Sequence, residues 1–203
     1  MSLKRKPWKR GLKALATFKE SIGAKLPSRE QILPVFAVTM FIVYTWTLYR
    51  MFWYIPSWLG DFRMVEVLTI GAYVLVFALF ESAVIFGIIL LFVILLPSKM
   101  FKDFFVPTGC TLMTIIGFSA YLLQRKMKIV YKLDFWGLIL YPILVLVAIL
   151  ILIYILSWIF KRFETLANIA NTIAERMTVF LYVYIPLSVL SFVYLLVRSI
   201  SNL

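Results

Sequence analysis

The chain has 203 residues, of which 64% are hydrophobic, 17% aromatic and 15% charged, and it carries a formal net charge of +12. A soluble domain has about a quarter of its residues charged, so lipid must replace water as the main solvent of this sequence. With no histidine and a single cysteine, Cys110, the chain has no imidazole for acid/base catalysis, no thiolate cluster, no internal disulfide and none of the usual zinc, iron or haem ligand sets.

Residues 1–31 read as a basic tail in which nine Lys/Arg stand against Glu20 and Glu30. Trp8, Leu12, Leu15, Ile22 and Leu26 recur at helical spacing, so part of the tail is expected to be an amphipathic helix lying on anionic lipid. The basic region is too long for a secretory signal, and no small-x-small cleavage site follows the first apolar run. Beside a membrane span such charge sets orientation and meets lipid headgroups, so no nucleic-acid partner is expected.

Residues 32–198 read as one multi-span membrane domain, followed by a short C-terminal tail, 199–203. The first span is expected over Ile32 to Tyr49, ended by Arg50; "MFWYIPSWLGDFR" then suits an interfacial aromatic belt with a turn at Pro56 and Gly60. The second apolar run, Val67 to Leu96, has 30 residues. As a helix it would be about 45 Å long, and it has no central Gly, Pro or Asn at which to fold back, so one long tilted helix is expected. "PSKMFKDFFVP", Pro97 to Pro107, sets Met100, Phe101, Phe104 and Phe105 against Lys99, Lys102 and Asp103, the pattern of a short interfacial helix.

The third span, Thr108 to Leu123, is short and dotted with Gly109, Thr111, Thr114, Gly117 and Ser119, which leaves open a full crossing or a re-entrant dip. The fourth, Phe135 to Phe160, has 26 residues, with Trp136 and Trp158 near its ends. Between the last two spans, Phe163, Leu166, Ala170, Ile173 and Met177 form an apolar face opposite Glu164, Asn168, Asn171 and Glu175. The fifth span, Thr178 to Val197, contains Pro186 and a polar line of Tyr184, Ser188 and Ser191. The expected fold is all-α: a polytopic helical bundle of five spans with interfacial amphipathic helices. A crossing third span puts fourteen basic residues on the side of the N-terminal tail and seven on the other; a re-entrant one puts sixteen against five. Both keep the N-terminus cytoplasmic, in the cell membrane, and the rule mildly favours the second.

Glu81 stands in the middle of "LVFALFESAVIFGIILL". An ionisable group at that depth costs a few kcal/mol and usually finds a partner. Gly71, Ala78, Ser82 and Ile85 share one helical face with Glu81 at its edge, and Ala78/Ser82 and Ala83/Gly87 both have small-residue spacing, so Glu81 and Ser82 are expected at an intramembrane helix contact. No Lys or Arg lies inside any span. The acid is therefore interhelical hydrogen-bond glue with Thr39, Tyr44, Thr45, Thr111, Thr114, Tyr154, Ser188 or Ser191, or the counterpart of a partner chain's cation, or part of a proton pathway. Without a nucleophile–base pair, metal site or phosphate-cradling loop, neither an enzyme nor a cofactor is expected. The leading reading is a non-catalytic membrane subunit or scaffold, bound to another membrane protein or to itself; the alternative is a small proton- or solute-linked transporter using Glu81.

Overall fold

The computed structural model describes residues 27–95, 104–125 and 135–201. The tail helix and residues 97–103 of the expected interfacial segment lie outside them. Among the described residues there is no strand; the elements are α1 (Arg29–Asp61), α2 (Met64–Leu95), α3 (Phe105–Arg125), α4 (Phe135–Arg162), α5 (Glu164–Met177), a 3-10 turn (Thr178–Phe180) and α6 (Leu181–Ser201). Five helical stretches are long and apolar enough to cross a membrane: α1, α2, α3, α4, and the α5–α6 stretch, whose apolar part is α6. The chain is an all-α bundle of an integral membrane protein.

The first turn of α1 is capped: the Gln31 side-chain oxygen accepts the Ser28 backbone N–H at 3.1 Å, and the Ser28 carbonyl accepts the N–H of Gln31 and Ile32, each at 3.0 Å. The helix does not end at Arg50 as the sequence suggests but continues through Pro56 to Asp61. Arg50 finds favourable company without leaving the helix, because its guanidinium lies 5.9 Å from the Trp46 ring centroid and 5.6 Å from that of Tyr54. Pro56 removes a single helical N–H, and the helix runs on through it. The turn falls instead at Phe62 and Arg63. There the Phe62 N–H closes on the Trp58 carbonyl at 2.8 Å, and the Glu66 carboxylate accepts the Arg63 N–H at 2.9 Å, capping α2.

As expected, α2 is one unbroken helix of 32 residues, about 48 Å long. It returns antiparallel to α1 and is met by α6 running the other way, with Ser188 opposite Leu75 and Arg198 opposite Val65. The third span starts at Phe105, which is fully buried rather than interfacial. From there α3 runs parallel to α1: Gly109 lies against Val35, Gly117 against Ile42, and Tyr121 edge-on to Trp46 at 5.9 Å. A re-entrant dip would turn back towards its point of entry; α3 instead follows α1 from Gly109 to Tyr121, about 18 Å, and is long and apolar enough to cross. Its glycines are contact points rather than breaks. A methyl group at Gly117 would sit 2.6 Å from Ile42 Cγ2, and one at Gly109 would sit 3.0 Å from Val35 Cγ1.

Leu156 and Phe160, near the end of α4, share a core with Val35 and Phe105, near the starts of α1 and α3, so α4 runs back to the side where α1 begins. There α5 packs on α1 and α3. Its apolar surface divides in two. Ala167 and Ala174 are buried in the bundle and Ala170 and Met177 partly so, while Leu166, Ile169 and Ile173 stay exposed beside a polar arc that includes Glu164, Asn168 and Glu175. The small side chains let the helix approach the bundle, and the larger ones face outward. The fully buried large side chains Val35, Met40, Tyr44, Phe105 and Leu112 sit on the first halves of α1 and α3, and Ile153 joins Val35 and Phe105 from α4, so the tight core belongs to the half of the bundle nearer the start of α1.

Candidate functional site

Two polar positions near the middle of the bundle have opposite fates. Tyr44 on α1 and Ser188 on α6 are both fully buried, and their hydroxyls lie 2.5 Å apart; each is also 3.2 Å from the Leu75 carbonyl on α2. Three helices are thereby tied at one point by groups that leave no unmatched charge. The Tyr184 ring, one turn before Ser188, stacks on Tyr44 at 4.4 Å, and Phe180 continues the stack at 5.7 Å. The line of Tyr184, Ser188 and Ser191 in the sequence was the legible half of this knot; its partner Tyr44 was visible only as one of several candidate hydroxyls.

Glu81 lies outside this arrangement. It sits on the exposed side of α2 and makes no hydrogen bond or ion pair with a described residue. The neighbouring Ser82 is fully buried, with its hydroxyl donating to the Ala78 carbonyl of its own helix at 2.7 Å. The face of Gly71, Ala78, Ser82 and Ile85 is therefore the face that packs, and Glu81 at its edge turns outward. The other small pair, Ala83 and Gly87, is exposed too, and a methyl group at Gly87 would meet nothing within 4 Å. Around these positions stand Phe77, Phe80, Val84 and Ile88, all exposed.

None of the hydroxyls expected to meet Glu81 bonds it, and Tyr44 and Ser188 are engaged with each other. Thr39, Thr114 and Ser191 donate to carbonyls four residues back at 2.8, 2.9 and 2.8 Å, while Thr45 and Tyr154 are exposed. Depth makes the placement of Glu81 consequential. It lies about 18 Å along α2 from Thr69 and about 21 Å from Leu95, well inside a hydrocarbon core of about 30 Å.

A second polar cluster, which the sequence did not announce, ties the end of α6 to the beginning of α2. Arg198 Nη1 donates to the Val65 carbonyl at 3.0 Å, to the Tyr194 hydroxyl at 3.3 Å and to Thr69 Oγ1, and Thr69 and Tyr194 lie 3.2 Å apart. No group of three or more metal-ligating side chains occurs among the described residues. Comparison of the chain with protein-family models, with curated proteins and with solved structures gives no match.

Proposed function

We propose that the protein is a non-catalytic subunit of a membrane complex, docking a membrane-spanning helix of another chain on the exposed α2 face that carries Phe77, Glu81, Val84 and Ile88. One observation carries this reading: a carboxyl group sits deep in an apolar helix, turned outward, with no bonding partner among the described residues of its own chain. Left against lipid such a group costs a few kcal/mol. A neighbouring helix that offers a cation or an amide or hydroxyl donor removes that cost.

The tight pack of positive charge supports an N-terminus on the cytoplasmic side. With five crossings, the side holding the start of α1 carries fourteen basic residues against seven. The transporter alternative gains no support from the geometry, because Glu81 lines neither the α1–α2–α6 cleft nor the one between the starts of α1 and α6.

Native mass spectrometry of the protein extracted gently from its own membrane tests the proposal. The expected result is a stable complex that Glu81→Leu weakens about fivefold, the effect of one interhelical hydrogen bond of about 1 kcal/mol, and that Glu81→Gln keeps. A monomer with no companion, unaltered by either substitution, would overturn it. A complex retained by Glu81→Asp but lost with Glu81→Gln would identify the partner group as a cation.

A further inference from the structure

The half of the bundle away from the start of α1 is not closed. Between the end of α1, the beginning of α2 and the end of α6 lies an open cleft of about 450 Å³. Met51, Ile55, Gly71, Leu75 and Leu187 line its inner part, and Trp58 and Tyr194 stand towards the end where α1 turns into α2. Its length along α2, from Val67 to Leu75, is about 12 Å. Leu75, whose carbonyl joins the Tyr44–Ser188 knot, forms the deep end.

We propose that this cleft binds one phospholipid of net negative charge, with an acyl chain between α1, α2 and α6 and the phosphate on Arg198. Three features define the occupant. Along its depth the lining is apolar but for Ser191, whose hydroxyl is bonded to the Leu187 carbonyl of its own helix, so inside a bilayer the cleft takes up hydrocarbon rather than water. Tyr194 lines one end, and its hydroxyl accepts from Arg198, which stands just beyond the lining. Arg198 is fixed there by three contacts, all made through Nη1. It forms no ion pair with a carboxylate among the described residues. The remaining guanidinium edge, Nε and Nη2, is left as a two-point donor of the geometry that suits a phosphate. A zwitterionic lipid brings its own ammonium group and matches this cation less well.

The proposed lipid site is on a different face from Glu81 and stands independently of the subunit reading. Gly71 supplies a way to close it, since a Cβ there would meet only Met51 Sδ, at 3.9 Å. Full-length protein in mild detergent is titrated with phosphatidylglycerol or phosphatidylcholine of identical acyl chains, and bound lipid is counted by native mass spectrometry. The unaltered protein should hold one phosphatidylglycerol in preference to phosphatidylcholine. Arg198→Gln should lower phosphatidylglycerol affinity about tenfold, as expected for loss of charge-assisted hydrogen bonds, and lower phosphatidylcholine affinity less, so that the preference for phosphatidylglycerol narrows. Arg198→Lys should fall between them, and Gly71→Leu should reduce retention of both lipids while the thermal unfolding temperature of the lipid-free protein holds. Equal retention of the two lipids by the unaltered protein would overturn the proposal, as would an unchanged lipid preference in Arg198→Gln. Should Gly71→Leu fail to fold, the Gln and Lys variants at Arg198 decide the matter alone.

Discussion

At the scale of single residues, Tyr44 and Glu81 show how this chain divides its polar groups between holding itself together and facing outward. Tyr44 is buried where Ser188 and the Leu75 carbonyl both reach its hydroxyl. Tyr44→Phe and Ser188→Ala should each lower the stability of the isolated chain by about 1 kcal/mol, and the double variant should lose less than the sum, because the two hydroxyls act on each other. Reversible unfolding in mixed micelles reads both numbers. Glu81→Leu should do the reverse: it removes no bond made with a described residue, so stability of the isolated chain should hold within about 0.5 kcal/mol. A loss above 1 kcal/mol in that variant would mean that Glu81 serves this bundle rather than a partner. Helical projection placed Ala78 and Ser82 on the packing face and set Glu81 at its edge. The projection could not say to which side an edge residue turns, since that depends on where α1 and α6 approach α2, and their positions follow from contacts distant in sequence.

At the scale of elements, the glycines separate contacts within the bundle from contacts beyond it. Gly117→Ala pushes a methyl group into Ile42, at 2.6 Å, and should cost about 1–3 kcal/mol by forcing α1 and α3 apart. Gly87→Ala meets nothing within 4 Å and should leave the isolated chain as stable as before. Thermal unfolding of the two variants side by side checks the contrast; equal effects would mean that α3 does not lie on α1 as described. The five apolar runs were readable from hydropathy because lipid demands long apolar helices with internally bonded backbones. Their ends were less so. The expected stop at Arg50 failed because Trp46 and Tyr54 give the guanidinium a place on the helix surface. The weak look of the third span came from glycines whose purpose, close approach to Val35 and Ile42, requires knowing the neighbour. On α5 the expected apolar face held only in part: Ala170 and Met177 pack against the bundle, but Phe163, Leu166 and Ile173 stay outside, and the buried Ala167 and Ala174 were not on it.

At the scale of the molecule, a chain in which all five candidate helices cross has the start of α1 and the end of α6 on opposite faces of the membrane. In a chain whose buried Cys110 is replaced by alanine, a single cysteine at the exposed Ser201 should react with an impermeant label from the side away from the N-terminus. Labelling from the N-terminal side would require an even number of crossings. The bundle has a tight half, where α1, α3, α4 and α5 meet, and an open half with the α1–α2–α6 cleft, and the proposed docking face of Glu81 is on the outer side of α2. The central claim is that this face is covered by another chain in the native membrane. The direct measurement places a photo-crosslinking amino acid at Val84, one turn from Glu81, and as a control at Val147 on α4, which is also exposed. The account predicts that position 84 yields one discrete protein adduct, that Glu81→Leu diminishes it, and that position 147 yields lipid adducts alone. Lipid adducts alone from both positions, with Glu81 intact, would contradict it.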